Sequence, residues 1–263
     1  SALLLVTFSL HVLSQPISCI RVNQLGYTSK APKVAVFGTD QSIPVSSFYL
    51  IDAKTGNIVF TAPAGKNFGT YGPLKNTYRL NFSSFKKPGK YLIKSDTVLS
   101  PEFSINDHVY DGAADFCLRY MRQQRSGFNP YLKDSCHTYD GYTLYAPVPD
   151  STHIDVVGGW HDATDYLQYS ATSANATYQL LAAYRDFPNV FTDEKQANGL
   201  DGKNNRPDVL DEAKWGLDWL LKMHPKNDWL FNQLGDDRDH RGMRLPKQDT
   251  NFYNRGFERP VYF

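Results

Sequence analysis

The spacing of apolar residues changes near Asn106, and this change most strongly limits the folds open to the chain. Before it, short runs such as "KVAVFGTD" and "GKYLIKS" alternate apolar and polar residues and are separated by Gly, Pro, Asp and Asn. A period of two with turn signals every ten or so residues is typical of a small β-sandwich. We therefore predict a β-sandwich over residues 19–105, a segment without an evident nucleophile, metal cluster or phosphate loop.

After Asn106 the apolar residues recur at helical spacing in three stretches: "DHVYDGAADFCLRYMRQQR", "YLQYSATSANATYQLLAAYRDF" and "RPDVLDEAKWGLDWLLKMHP". Pro207 opens the third stretch, and acidic residues follow in its first turn, as is typical of a helix N-terminus. Loops as long as residues 126–157 are unusual unless they build a site. Residues 106–263 are therefore predicted to form a helical domain with functional loops.

The composition excludes some classes of partner. The formal net charge is +1, so no strong positive field favours nucleic acid. Hydrophobic residues make up 41% of the chain, which is typical of a soluble globular protein. Aromatic residues are frequent, at 14%, and they could serve either the core or sugar-stacking surfaces.

The N-terminus contains the apolar run "ALLLVTFSLHVL". A membrane span needs roughly 18–20 such residues, whereas a run of this length suits the apolar part of a secretory signal. We expect residues 1–18 to be the remnant of a signal peptide, and a buried strand is the alternative. We expect the protein to be secreted, periplasmic or at the cell surface. Attachment to a membrane would need a lipid anchor at Cys19, and the residues before Cys19, Pro16-Ile17-Ser18, match a lipoprotein signal poorly.

The stretch "VVGGWHDATDY" concentrates chemically useful residues. Gly158 and Gly159 permit unusual backbone conformations, and we predict that a helix begins near Asp162. Asp162 and Asp165 would then share one helix face, about 5–6 Å apart, where the helix dipole favours their charged forms. Two charged carboxylates in this arrangement suit a general base that activates water.

Two other interpretations of this stretch remain open. The two aspartates could simply cap the helix, with Trp160 in the core. Alternatively, His161 could bind a metal together with the aspartates, although the spacing of helical zinc enzymes is absent.

Several motifs together carry a family resemblance. "GGWHDATDY" resembles the Gly-Gly-Trp-His-Asp-Ala-Gly-Asp-Tyr signature of glycoside hydrolase family 9, with Thr164 in place of Gly. "IRVNQLGYTSKAPKVAVF" is similar to the start of the immunoglobulin-like domain that precedes many catalytic domains of this family. "RPDVLDEAKW" and "QLGDDRDH" resemble a helix and a cleft loop of the catalytic domain. The resemblance implies an immunoglobulin-like β-sandwich followed by the first part of an (α/α)6 barrel.

For the chemistry, the resemblance implies inverting hydrolysis of β-1,4-glucosidic bonds, with Asp165 as general base and Asp162 positioning the water. Inversion needs a carboxylic acid about 6.5–9.5 Å from the base. The family's acid is a glutamate far downstream, and the neighbours of Glu258 do not match it. We therefore expect the acid beyond Phe263 and little turnover by these 263 residues alone. The alternative is a non-catalytic carbohydrate-binding or adaptor protein.

The resemblance also implies contacts with substrate. His240 matches a sugar-contacting histidine, although the tryptophan that usually follows it is absent. Trp160, His161 and Asp236 are further candidates, and for Trp160 a core position is the favoured alternative. The expected substrate is a β-glucan: cellulose, mixed-linkage glucan or xyloglucan.

No cofactor is expected for the chemistry, but a structural metal is considered. Cys136 and His137 match a Cys-His pair that holds zinc in many family members, and His161 could be a third ligand. Ser126 stands where a further cysteine is usual, and serine is a poor zinc ligand. The acidic run at 236–239 could line the groove or bind calcium.

Overall fold

The computed structural model describes residues 17–42, 44–236, 238, 240, 243–249 and 259–263. The chain divides into two compact units, Ser1–Tyr110 and Asp111–Phe263. None of the described helices is long and apolar enough to cross a membrane. The expected signal remnant, apart from residues 17 and 18, lies outside the described residues, as do Asp237, Asp239 and Glu258.

The first unit contains two antiparallel sheets. One has the order β1-β2-β5, and the other has the order β4-β3-β6-β7, with β8 also pairing with β6. The strands are β1 (Ser18–Arg21), β2 (Val34–Thr39), β3 (Ser47–Asp52), β4 (Ile58–Pro63), β5 (Asn76–Asn81), β6 (Gly89–Ser95), β7 (Val98–Leu99) and β8 (Phe103–Ile105). This architecture confirms the predicted β-sandwich.

Alternating residues of both sheets form the core of this unit. Phe48, Leu50, Leu80 and Ile93 are fully buried, and they belong to one apolar cluster. Burying each such side chain contributes roughly 1.5–3 kcal/mol. Many aromatic residues of this half pack edge to face in the same cluster, including Tyr27 at 5.1 Å from Phe82 between ring centroids. For these residues the core interpretation is correct.

The second unit contains three helices, α1 (Ala113–Gln123), α2 (Ser170–Asp186) and α3 (Asp208–Met223). Six short strands lie in the segments that connect or follow them: β9 (Gly127–Asn129), β10 (Asp134–Cys136), β11 (Tyr142–Leu144), β12 (Gln168–Tyr169), β13 (Gln233–Leu234) and β14 (Pro260–Tyr262). Strands β11, β14, β13 and β12 form one sheet in that order, and β9 pairs with β10. Single 3-10 turns occur at Pro188–Val190 and Pro246–Gln248.

The helices of this unit leave much apolar surface uncovered. Trp219 and Met223 of α3 are fully buried with Phe231 and Leu234. Other apolar residues of the three helices are exposed: Phe116, Tyr120, Tyr178, Leu181, Leu217 and Leu221. The helical spacing therefore predicted the helices but not which of their apolar faces are buried.

The predicted start of the second helix is wrong. Helix α2 begins at Ser170, and Asp162 to Tyr166 form a turn in which the Asp162 N–H donates to the Leu167 carbonyl at 2.7 Å. Tyr166 has a φ of 65°, which a right-handed helix does not allow. Gln168 and Tyr169 then pair with β13, so the backbone is committed to a strand before the helix can begin.

Candidate active site

Two glycines shape the chain that enters the turn. Gly158 and Gly159 have φ values of +122° and +67°, as the sequence predicted for this pair. A Cβ on Gly159 would lie 2.7 Å from the ring of Trp219. Both the backbone conformation and the lack of a side chain are therefore required for this segment to pack against α3.

One face of α3 holds this segment in place through its backbone carbonyls. The indole N–H groups of Trp215 and Trp219 donate to the carbonyls of Gly159 and Val156, at 2.9 and 3.0 Å. Lys222 donates to the Val157 carbonyl at 2.7 Å. The three side chains are four and three residues apart, so they project from neighbouring turns of one helix face. Trp215 and Trp219 therefore have a structural role.

A buried ionic cluster fixes Trp160. Its indole N–H donates to Glu212 Oε1 at 2.8 Å, and its side chain is 4% exposed. Arg125 forms hydrogen bonds with both carboxylate oxygens of Glu212, at 2.8 and 3.2 Å, while Arg122 pairs with Asp208 at 3.1 Å. The burial of Trp160 favours the core interpretation over a sugar-binding role. The acidic start of α3 is the only signal in the sequence for Glu212 as a residue that positions Trp160, and it does not indicate that role by itself.

Asp165 and His240 come together in the structure. His240 Nε2 lies 2.9 Å from Asp165 Oδ2, with side-chain exposures of 50% and 21%. Asp165 Oδ1 is buried and has no hydrogen-bond partner among the described residues. One carboxylate oxygen is thus anchored, and the side chain as a whole keeps 21% exposure through which a water can reach the carboxylate. Asp162 is exposed and lies in the same turn, not on a shared helix face.

Tyr166 ends the turn that carries Asp162 and Asp165, and its backbone is held in a strained conformation. The Tyr166 carbonyl accepts a hydrogen bond from Arg259 Nη1 at 2.6 Å and lies 3.1 Å from His161 Nδ1. Its hydroxyl donates to the Arg244 carbonyl. Residues held at positive φ by several contacts are frequent at functional sites. Arg244 and Arg259 had not been singled out from the sequence.

His161 lies in a group with Cys136 and His137. The candidate ligand atoms of these three buried residues lie within 4.8 Å of one another. His161 Nε2 is 3.7 Å from Cys136 Sγ. Neither aspartate belongs to this group, which disfavours a metal site built from His161, Asp162 and Asp165. The burial of His161 likewise disfavours direct contact with substrate.

The surroundings of this Cys-His-His group suit a metal. His137 Nε2 lies 3.0 Å from Asp249, while its buried Nδ1 has no partner among the described residues. Metal-binding histidines commonly use their second nitrogen in this way, with a carboxylate or a carbonyl. Burial lowers the pKa of both histidines, which favours the neutral form that binds metal. Burial also raises the pKa of the Cys136 thiol to about 11, so a metal would have to displace the thiol proton on binding. The residues therefore fit a zinc ion with three protein ligands.

The remaining candidate, Asp236, is engaged with its own neighbours. Its carboxylate pairs with Arg238 at 2.5 Å and accepts a hydrogen bond from the Tyr262 hydroxyl. These contacts favour a structural role and disfavour a calcium site. The other two aspartates of the run lie outside the described residues.

Comparison with known families identifies the chain. The glycosyl hydrolase family 9 model matches residues 110–263, and the model of the cellulase N-terminal Ig-like domain matches residues 15–100. The chain therefore belongs to glycosyl hydrolase family 9. This confirms an immunoglobulin-like sandwich followed by part of the family's (α/α)6-barrel domain.

Individual relatives agree with this assignment. The chain is 31% identical over 239 residues to a cellodextrinase of Butyrivibrio fibrisolvens, with 88% of this chain and 42% of the relative covered. It is 30% identical over 233 residues to a xyloglucan-specific endo-beta-1,4-glucanase of Bacteroides ovatus, with coverages of 83% and 39%. A solved metagenome-derived family 9 endoglucanase matches with a TM-score of 0.78 and 30% identity, over 93% of this chain and 46% of that one. The chain thus spans about two fifths of the length of these curated relatives.

Proposed function

We propose that the whole protein hydrolyses β-1,4-glucosidic bonds, with Asp165 as the general base. The observation that carries this proposal is the asymmetric setting of the Asp165 carboxylate. His240 fixes Oδ2 at 2.9 Å, while Oδ1 is buried without a hydrogen-bond partner among the described residues. A base needs a fixed orientation and a carboxylate that water can reach, and the Asp165 side chain is 21% exposed.

In the proposed mechanism, the Asp165 carboxylate takes a proton from a water that attacks the anomeric carbon from the face opposite the leaving sugar. A carboxylic acid on the other side of the bond protonates the leaving oxygen. Asp162, exposed in the same turn, orients the water through a hydrogen bond. Attack on one face in a single displacement gives a product with inverted anomeric configuration.

The proposed substrate is a β-glucan such as cellulose, mixed-linkage glucan or xyloglucan. The names of the cellodextrinase and xyloglucanase relatives support this class. His240, whose side chain is half exposed beside the base, is placed to contact a sugar hydroxyl. An insoluble or cell-wall substrate also agrees with the proposed export of the protein, which rests on the apolar run before residue 14. Detection of the protein in a washed spheroplast lysate alone, and not in the medium, periplasm or surface fraction, would contradict export.

The test of the base is Asp165→Asn in the full-length protein. Removing a general base lowers kcat by about 10²–10⁴-fold. We expect this loss on barley glucan and carboxymethyl cellulose, measured by released reducing ends, with the thermal transition retained. Asp186→Asn, which alters an exposed aspartate at the end of α2, is the matched control and keeps wild-type rates. Wild-type rates in Asp165→Asn, or a β-anomer as first product by NMR from β-linked glucan, would refute the mechanism.

We propose further that Cys136, His137 and His161 hold a structural zinc ion. When bound, zinc would tie the loop carrying β10 to residues 156–166, the signature segment. No step of hydrolysis passes through the zinc ion. A zinc titration against a chromophoric chelator should show one equivalent bound to the wild-type chain, and tenfold or greater weakening in His137→Ala. His224→Ala changes an exposed histidine and serves as control. Equal zinc binding by both variants would exclude the site. Hydrolysis lost promptly in EDTA would instead indicate a catalytic metal.

A further inference from the structure

The outer face of the β1-β2-β5 sheet carries a groove far along the chain from the signature segment. Strand register sets Arg21 opposite Val36 and Val36 opposite Arg79, in one row across the three strands. Their sequence neighbours point into the sandwich core, so these three side chains point outward. Together with the loop that precedes β5, they enclose a groove of about 520 Å³.

The loop over this face is held in a single conformation by its own contacts. The Phe68 N–H donates to the Thr77 carbonyl at 2.8 Å, and the Thr77 hydroxyl donates to the Gly69 carbonyl at 2.9 Å. Leu74 packs directly on Gly38 of β2, and a Cβ added to Gly38 would lie only 2.5 Å from Leu74 Cδ1. These contacts fix the loop over the sheet, and preorganisation of this kind lowers the entropy lost on binding.

Aromatic side chains on the loop are displayed to solvent. Tyr71 is 77% exposed and Phe68 is 46% exposed, and neither belongs to the core of the sandwich. Concave sites lined by aromatic rings and a few polar groups are typical of small-molecule and oligosaccharide binding. The flat apolar face of a pyranose ring suits such rings, because stacking removes apolar surface of both from water.

The groove is also strongly cationic. The Arg79 guanidinium and the Lys66 ammonium lie 4.6 and 4.9 Å from the centroid of the Phe68 ring. Neither cation, nor Arg21, forms a salt bridge with any described residue, and no acidic residue lines the groove. Residues 53–95 contain eight Lys or Arg and no Asp or Glu. Residues 17–110 contain eleven cations against five acids, a net +6, whereas residues 111–263 contain seventeen against twenty-two, a net −5.

We propose that this groove binds an acidic oligosaccharide, such as a uronic-acid chain, independently of the hydrolytic site. A sugar ring stacks on the exposed Tyr71 ring, and its carboxylate pairs with Arg79 and Arg21. Guanidinium groups suit this task because they bind carboxylates with two parallel hydrogen bonds. A neutral glucan would leave the cations unmatched. Nucleic acid fits less well, since the positive charge is confined to one unit and the rest of the chain is negative.

The test measures binding to the 263-residue chain by calorimetry, with trigalacturonate as the probe. We expect binding at least tenfold tighter than to the same trisaccharide reduced at its carboxyl groups, and weakening in 0.5 M NaCl, because exposed ion pairs are screened. Tyr71→Ala and Arg79→Gln should each weaken binding tenfold or more. Both side chains are exposed, so neither change removes core contacts, and circular dichroism checks the fold. Phe187→Ala, at an exposed aromatic residue of the second unit, is the matched control.

Four results would overturn the proposal. The first is that the wild-type chain does not bind trigalacturonate, and the second is that it binds the reduced trisaccharide or cellohexaose with the same affinity. The third is that it binds a thymidine oligonucleotide more tightly than trigalacturonate. The fourth is that the chain forms a dimer that Tyr71→Ala dissociates. Asp165→Asn should leave trigalacturonate binding unchanged. A failure of this site is therefore distinguishable from a failure of the proposed hydrolysis.

Discussion

Glu212 is the residue whose removal should most clearly expose how the signature segment is held. It is fully buried on α3, and its two oxygens bind the Arg125 guanidinium and the Trp160 indole N–H. Arg122 Nε lies 3.6 Å from the same carboxylate and also pairs with Asp208. The buried cluster thus contains two cations and two anions. Glu212→Gln keeps the size of the side chain but leaves one buried cation unmatched.

The cost of that change follows from the burial. The side chains of Arg122, Arg125, Asp208 and Glu212 are 5%, 1%, 2% and 0% exposed, so solvent cannot compensate the lost charge. Breaking a buried ion pair by removing one partner costs about 3–5 kcal/mol. Against a total stability of roughly 5–15 kcal/mol this is a large loss. For a unit of this size it corresponds to a Tm lower by roughly 6–20 °C.

Tryptophan fluorescence during urea unfolding is the appropriate assay, because all four tryptophans lie between residues 160 and 229 and report only the second unit. The matched control is Asp218→Asn on the same helix. Its partner Lys214 and the aspartate are 55% and 53% exposed, and such pairs contribute about 0–1 kcal/mol. If Glu212→Gln and Asp218→Asn unfold at the same urea concentration, burial does not make the Glu212 carboxylate more important for stability than the exposed Asp218 carboxylate.

Two further substitutions test the local packing. Gly159→Ala should lower the free energy of unfolding by at least about 1–3 kcal/mol, because of backbone strain and the clash with Trp219. Gly112→Ala is the control and should cost less, since Gly112 has a similar φ of +74° but open space around it. Equal decreases of Tm in the two variants would contradict the clash. Ser126→Ala should leave stability unchanged or raise it by up to about 1 kcal/mol, since the buried Ser126 hydroxyl has no partner among the described residues. A Tm lowered by several degrees in Ser126→Ala would mean that this hydroxyl is bonded after all.

The sequence predicted the first unit well because its signals are local. In β2 and β6, residues two apart share a face, and the turn residues between strands are adjacent in the chain. The positions of α1 and α3 were likewise indicated by apolar spacing, and Pro207 marked the start of α3. In each case a few neighbouring residues decide the outcome.

The start of α2 could not be predicted in this way. Tyr166 to Tyr169 have helical apolar spacing, but β12 pairs with β13, which lies about 65 residues further along the chain. Strand β11 pairs in parallel with β14, joining Thr143 to Val261. These hydrogen bonds satisfy backbone groups that a helix would otherwise satisfy, and no periodicity within either segment encodes the partner. Tertiary pairing therefore overrides the local preference.

The same limit explains why the sequence left open a metal site of His161 with the aspartates, whereas the structure groups His161 with Cys136 and His137. His161 and Asp165 are four residues apart, which on a helix would put them on one face. The left-handed Tyr166 and the turn before it direct His161 toward Cys136 and Asp165 toward His240. One short segment therefore serves two sites, the proposed zinc site and the proposed base. Because a single turn sets both, loosening the turn should weaken zinc binding and hydrolysis together, whereas changing His137 or His240 should affect mainly its own site.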